Sequence, residues 1–276
     1  MLGAIIGDIA GSRFEFNNHR SKDFDLFAPN SFATDDSIMT LAIAKAIMEA
    51  VQEGSSDDQD FYDRLSELSV YYMQEIGRPY PGSGYGGRFL TWMYSDQPEP
   101  YNSFGNGSAM RVSPAGFYAR SLEKALLLSD AVTRVTHNHP EGLKGARATA
   151  AAVFLARTGS SIPEIKKHME EHYYALDFTL DEIRPVYRFN ETCQETVPQA
   201  IQCFIESLSF EDAIRNAISI GGDSDTIGAI TGAIAQAYYG VPQDLRDQAL
   251  TFLDERLLGI YQEWEEFIEE LKVRPR

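Results

Sequence analysis

Gly221-Gly222-Asp223-Ser224-Asp225-Thr226 runs without a break into Ile227-Gly228-Ala229-Ile230-Thr231-Gly232-Ala233-Ile234-Ala235. Two carboxylates at alternating positions and a hydroxyl precede a helix of almost wholly apolar or small residues, so three oxygens are held at a buried helix N-terminus. Oxygen ligands in that arrangement suit a hard divalent cation. Helix-end chemistry is the competing reading, because Asp favours the cap and first turn. It accounts for one of the two acids more readily than for both.

A second acidic knot lies far upstream. Thr34-Asp35-Asp36-Ser37 stands ahead of Ile38-Met39-Thr40-Leu41-Ala42-Ile43-Ala44-Lys45-Ala46-Ile47-Met48, again hydroxyl and carboxylate where an apolar helix begins. If both knots start buried helices of one bundle, four carboxylates converge, and two like charges about 4 Å apart repel by roughly 4 kcal/mol at an effective dielectric near 20. Such a cluster needs cations. Two Mg²⁺ would balance four carboxylates, and paired metals about 3.5–4 Å apart can orient and activate a water.

The chain has 276 residues, 43% of them hydrophobic, which is ample for one core, and a single domain over 1–276 is expected. Its net charge of -17 opposes non-specific binding to nucleic acid or to an anionic membrane. An anionic ligand would need local donors. Met1 to Ile6 is apolar, but Asp8 interrupts it too soon for a signal segment, and no stretch has the length of a membrane span, so a cytoplasmic protein is expected. Cys193 and Cys203 lack metal-type spacing and read as reduced structural thiols.

Gly3, Gly7 and Gly11 recur every fourth position, which marks a helix face suited to a close crossing rather than a phosphate loop. A polar segment to Phe32 carries Glu15. Helical patterns follow at Thr34–Gln52, Phe61–Ile76, Leu122–Thr133, Leu143–Arg157, Ile162–Tyr173, Val197–Ser207, Phe210–Ile220 and Leu245–Leu271, with a short helix at Phe89–Tyr94 and an apolar run at Ala109–Ala119. Gly54–Asp58 has turn chemistry, and the acids of Glu263–Glu270 read as a solvated face. Arg78–Gly87 and Pro98–Gly107 are glycine-bearing loops whose amides can approach an anion, although plain loop chemistry explains either one alone. His137 and His139 sit two apart before Pro140, and a substrate role is expected for one of them at most. With few strand patterns and no repeat, an all-α orthogonal bundle is expected.

Taken together and in order, these motifs resemble the ADP-ribosylglycohydrolase family, which includes the hydrolase that reactivates dinitrogenase reductase. The likeness rests on Gly7-Asp8-Ile9-Ala10-Gly11 with Glu15, Thr34-Asp35-Asp36, Gly84-Tyr85-Gly86, Gly105-Asn106-Gly107-Ser108-Ala109-Met110-Arg111, Thr136-His137 and Gly222-Asp223-Ser224-Asp225-Thr226. The resemblance implies a compact all-helical fold with two Mg²⁺, Mn²⁺ being an alternative. It implies Thr34, Asp35, Asp36 and Asp225 as ligands of one ion, and Asp223, Asp225 and Thr226 as ligands of the other. Glu15, Asp35, Asp36 and Asp225 are the implied catalytic carboxylates. Gly84, Tyr85, Gly86, Ser103, Phe104, Gly105, Asn106, Gly107, Ser108 and His137 match segments that surround ADP-ribose. Arg111 could add a charged contact to the pyrophosphate, and bracing its own loop through a buried ion pair is the reading placed slightly ahead; Met110 is read as core.

The expected activity is hydrolysis of the bond between the anomeric carbon of ADP-ribose and an acceptor, with the substrate, free or bound to a protein, as partner. A carboxylate, either a ligand or Glu15, would take the water's proton. Two readings compete. A Mg²⁺-dependent isoprenoid synthase would need an acid four positions on from Asp35 or Asp36, where Met39 and Thr40 stand. A module that binds ADP-ribose without turnover would keep the knots for binding alone. The irregular stretch Phe178–Thr196 is expected to border the site.

Overall fold

The computed structural model describes residues 1–54 and 58–273, and these form helices and no strands. Most of the expected helices are present. The turn expected at Gly54–Asp58 falls largely on residues outside that description.

The central contact is between α1 (Leu2–Gly11) and α13 (Ser224–Tyr239), which are buried along nearly their whole lengths. Glycines let their backbones touch. A Cβ on Gly7 would lie 1.9 Å from the Gly228 carbonyl oxygen, and one on Gly3 would lie 2.0 Å from that of Gly232. The four-residue spacing of Gly3, Gly7 and Gly11 thus meets the Gly228 and Gly232 pair, as a close crossing requires. Gly11 closes the stripe against Asp225, whose Cα would be 2.5 Å from an added Cβ. This crossing therefore sets where one acidic knot sits.

Helix α2 (Asp35–Glu53) carries the other knot. It packs on α1, α13, α3 (Gln59–Gly77) and, at the far end of the chain, α15 (Glu255–Val273). Thr34 caps α2 by accepting from the Asp36 amide at 3.2 Å. Between α3 and α7 (Leu122–Thr133) lie three short helices, α4 (Gly87–Met93), α5 (Gly107–Met110) and α6 (Ser113–Tyr118). The apolar run at Ala109–Ala119 is therefore two short helices broken around Arg111. Helix α8 (Pro140–Arg157) starts at Pro140, earlier than its apolar pattern, with His139 capping it by accepting from the Glu141 amide at 3.1 Å. After α9 (Ile162–His172) and the short α10 (Leu180–Ile183), α11 (Cys193–Ile205) begins one turn earlier than expected, accommodating Pro198 near its start. Helix α12 (Phe210–Ser219) leads into the Gly221-Gly222 turn.

The single helix expected over Leu245–Leu271 is two, α14 (Gln243–Leu250) and α15. Asp254 breaks it by accepting from the Leu257 amide at 2.9 Å and from the Tyr80 hydroxyl at 2.6 Å, so a side-chain cap competes successfully with helix continuation. The acids of α15 form a solvated face as expected, Glu263, Glu266, Glu269 and Glu270 being exposed, and two of its acids take surface partners. Glu263 pairs with Lys45, and Glu265 pairs with Arg246.

Because Gly7 has a carbonyl where a methyl would go, Gly7→Ala should destabilise the fold by about 3 kcal/mol, the upper range of overpacking costs. Urea unfolding checks this. A loss below about 0.5 kcal/mol would mean that the two helices separate at little cost.

Candidate metal and substrate site

The N-termini of α2 and α13 open into one cavity of about 300 Å³. Its floor holds Asp35, Asp36, Asp223, Asp225 and Thr226, with Glu15 at one side. Glu15, Asp223 and Asp225 each offer an oxygen within 4.8 Å of the others, a spacing at which carboxylates share a cation. Thr226 links the two knots, its hydroxyl donating to Asp36 Oδ2 at 3.2 Å. Asp36 Oδ1 is buried and has no hydrogen-bond partner. A buried, unpaired carboxylate oxygen among other carboxylates is costly unless a cation meets it. The donor set thus fits a hard divalent ion.

The electrostatics agree. Burial raises every carboxyl of the floor above the usual range, and neighbouring charges add to it. Asp35 and Asp36 are held well up, first by burial and then by Asp225; Asp225 is raised by burial and then by Asp223. Asp223 is pushed up to about 7 by burial, against the hydrogen bonds it accepts. Glu15 is pushed up to about 8 by burial, then by Asp225 and Glu191.

Each knot is fixed from outside by residues that carry no ligand motif. Asp8, fully buried on α1, accepts from the Thr34 amide at 2.9 Å, the Thr34 hydroxyl at 2.7 Å, the Ser37 amide at 3.0 Å and the Ser37 hydroxyl. It therefore clamps both ends of the Asp35-Asp36 pair. Opposite, Gly221 and Gly222 take positive φ, and Asn18 bonds Gly222 twice, its Oδ1 accepting from the amide at 2.9 Å and its Nδ2 donating to the carbonyl at 2.9 Å. Arg20 donates to the carbonyls of Ile220, Tyr187 and Arg184. Asn106 donates to Asp223 Oδ2 at 2.6 Å. Asp8 belongs to the Gly7–Gly11 motif that carries the resemblance, but without an assigned role, and neither Asn18 nor Arg20 stands out in the sequence, because clamping needs only a polar side chain at the right depth.

The walls come from the two glycine-bearing loops. Gly84 has φ +99, and a Cβ there would lie 2.8 Å from Asp35 Oδ1, so only glycine lets this loop approach the acid. The Asp35 amide anchors it by donating to the Ser83 carbonyl at 2.7 Å. Gly84, Gly86, Ser103, Gly105, Asn106, Gly107 and His137 all line the cavity. Four expected site residues do not. Tyr85 is buried beneath its loop and stacks on Phe89, and Phe104 is exposed beside His139. Ser108 points inward to the Gly142 carbonyl at 2.9 Å, and Thr34 spends its hydroxyl on Asp8 and the Asp36 amide. The latter keeps one lone pair free.

Arg111 is fully buried at the cavity edge and is without a carboxylate partner among the described residues, so the expected ion pair is replaced by a hydrogen bond from Nη2 to the Thr136 hydroxyl at 2.6 Å. The Thr136 hydroxyl also lies 2.7 Å from His137 Nδ1 and donates to the Thr133 carbonyl at 3.4 Å. The His137 ring is kept neutral by burial and then by Arg111, and its Nε2 stands beside Gly105 and Gly107. His139 is a helix cap. Met110 is buried and also lines the cavity. Both cysteines are buried and free. The Phe178–Thr196 stretch does reach the site, for Glu191 lines the cavity and its carbonyl accepts from the Asn106 amide at 2.7 Å.

The profile described as ADP-ribosylglycohydrolase matches residues 1–273. The chain belongs to the ADP-ribosylglycohydrolase family. ADP-ribosylhydrolase ARH3 of Homo sapiens is 27% identical over 88% of this chain and 85% of its own. ADP-ribosylarginine hydrolase Tri1 of Pseudomonas putida is 25% identical over 87% of this chain and 70% of its own. A solved structure, an ADP-ribosylglycohydrolase-related protein complex, shares the fold with a TM-score of 0.64 and 21% identity over 95% of each chain. Among the described residues no helix is long and apolar enough to cross a membrane.

Family membership and an uncompensated acidic floor give a linkage prediction. Folded-state values of about 6 for Asp8, 7 for Asp223 and 8 for Glu15 exceed ordinary carboxylate values, so without cations their stabilising contribution is full below about pH 4 and is lost as pH rises toward 8. Melting curves in EDTA and in Mg²⁺ or Mn²⁺ should therefore diverge as pH rises from 5 to 8, with the cation stabilising. The difference between the curves cancels titrations elsewhere. A constant or absent difference would contradict the cation site.

Proposed function

We propose that this chain hydrolyses the glycosidic bond between ADP-ribose and an acceptor, a protein side chain or a small molecule, using two divalent cations, Mg²⁺ or Mn²⁺. The observation that carries this reading is the floor of four aspartates, three of them buried and Asp35 partly so, with an unpaired Asp36 oxygen beneath a glycine-walled cavity. Thr34, Asp35, Asp36 and Asp225 would hold one ion. Asp223, Asp225 and Thr226 would hold the other, and the spacing of Glu15 from Asp223 and Asp225 adds it as a ligand candidate. Bound there, the ions would act as Lewis acids toward ribose hydroxyls and a water.

The chain's own residues supply the rest. Arg88 and Arg111 are the basic side chains on the cavity wall, and pyrophosphate would be held by them with the backbone amides of Gly84–Gly86 and His137, because the Gly105 and Asn106 amides already bond Ser103 Oγ and the Glu191 carbonyl. Holding the ribose over the floor leaves its anomeric carbon to be attacked by water as the acceptor departs through an oxocarbenium-like state. Glu15, only half-buried and on the open side of the floor, is placed to take the water's proton. The bond to the acceptor breaks with its electron pair going to the acceptor atom. That atom ends protonated, and ADP-ribose ends with a hydroxyl.

Asp225→Ala should lower turnover of an ADP-ribosylated substrate by more than about a hundredfold, since even residues behind metal ligands are worth ten- to a hundredfold. It should weaken cation binding in the same variant. Release of free ADP-ribose, followed with Mg²⁺ and with EDTA, checks the first, and calorimetric titration of Mn²⁺ checks the second. Full turnover would remove Asp225 from its bridging role, and tight ADP-ribose binding with no release by the wild type would favour a binding module.

A further inference from the structure

Glu15 does not stand on a helix. It lies in the irregular stretch 12–20 that follows α1, so no helical ladder fixes its height over the acidic floor. One hold on that stretch is Phe14, which is buried, with its ring 5.2 Å from His19 and 5.3 Å from Phe24. The other is the side-chain amide of Asn18. Its Nδ2 donates to the Phe14 carbonyl at 3.0 Å, the Glu15 carbonyl at 3.0 Å and the Gly222 carbonyl at 2.9 Å, while its Oδ1 accepts from the Gly222 amide at 2.9 Å. Two hydrogens on Nδ2 serve three carbonyls, so at least one of them is shared. Gly222 directly precedes Asp223, and Glu15, Asp223 and Asp225 each offer an oxygen within 4.8 Å of the others. One amide thus ties the peptide of Glu15 to the peptide of Asp223. Arg20, the other polar tie in this stretch, bonds the carbonyls of Ile220, Tyr187 and Arg184 and leaves Glu15 to Asn18.

We propose that Asn18 is a positioning residue that holds Glu15 at the depth where its carboxylate meets the attacking water, and that its effect on turnover passes through Glu15. The inference rests on the hydrolysis and on the proton-accepting role of Glu15 proposed above. The link needs a donor and an acceptor on one short side chain. Aspartate keeps the acceptor for the Gly222 amide but turns a charged oxygen toward three carbonyls, and alanine removes both halves. Without Asn18 the Glu15 peptide keeps the Phe14 anchor on one side only, and its carboxylate, repelled by Asp225 and Glu191, moves toward open water. A displacement of about 1 Å can cost a reacting group about a hundredfold in rate. The groups proposed to hold pyrophosphate stand on other elements, so substrate binding survives the change.

The test is a double-mutant cycle on the full chain in saturating Mg²⁺. Its readout is ADP-ribose release from whichever of an arginine-linked and a serine-linked ADP-ribosyl peptide the wild type cleaves faster. Asn18→Ala should lower kcat by about tenfold or more, with KM and the calorimetric affinity for Mn²⁺ each within about threefold of wild type. Glu15→Gln should lower kcat by about a hundredfold or more and leave a measurable remainder. Adding Asn18→Ala to Glu15→Gln should change that remainder by less than about twofold, because nothing is left to position. Asn18→Asp, nearly the same size, separates this from a packing effect and should also lose about tenfold or more in kcat. Asn18 is exposed, so both variants should fold. Losses that multiply in the double variant, or a fall in Mn²⁺ affinity that matches the fall in kcat, would make Asn18 a support of the Gly222 turn and overturn the inference while leaving hydrolysis intact. Full turnover in either Asn18 variant, or loss of folding in both, would overturn it as well. Full turnover in Glu15→Gln would remove the role of Glu15 and this inference with it, and release from neither peptide by the wild type would overturn the hydrolase reading itself.

Discussion

Carboxylates that repel one another are held together at the meeting of two helix N-termini, and most of the structure can be understood as the means of holding them. Asp35 and Asp36 begin α2, Asp225 stands in the first turn of α13 with Asp223 as its cap, and all are buried or nearly so. The positive ends of two helix dipoles offset part of the repulsion, typically about 1 kcal/mol per acid. That falls short of the roughly 4 kcal/mol by which one close pair repels. Cations supply the remainder. Stability and ligand binding are consequently coupled in this fold.

Placing the knots requires backbone precision, and the sequence meets that need with small residues and buried polar clamps. The glycine stripe of α1 lays Gly11 against Asp225, and three residues earlier on the same helix Asp8 grips the loop that carries Asp35 and Asp36. One helix therefore registers both acidic knots. Asn18 and Arg20, just beyond it, tie the Gly221-Gly222 turn, so the first twenty residues determine the geometry of a site whose ligands come from both ends of the chain.

Much of this was legible beforehand. Apolar periodicity marked the long helices, and the order of the acidic and glycine motifs marked the family and most of the residues that line the cavity. What failed did so for identifiable reasons. The break between α14 and α15 depends on Asp254 meeting Tyr80, a contact across 174 positions that no local pattern reveals. Arg111 was expected to pair with an acid, but its partner Thr136 lies on another element, and hydroxyls carry no charge pattern to search for. Tyr85 and Phe104 belong to the right loops but turn out of the cavity, because neighbours in a loop alternate in direction without a fixed period, and Ser108 stands on the inward face of α5. Glu191 had no motif at all; only the pairing of its segment with the Gly105 loop brings it to the cavity.

The claim that cations complete the acidic floor is tested most directly by anomalous diffraction from a crystal grown with Mn²⁺. Two anomalous peaks are predicted, both coordinated by Asp225, one also by Asp35 and Asp36 and the other by Asp223 and Thr226. A map with no anomalous signal among these carboxylates, at Mn²⁺ concentrations that saturate ordinary hard-cation sites, would contradict it.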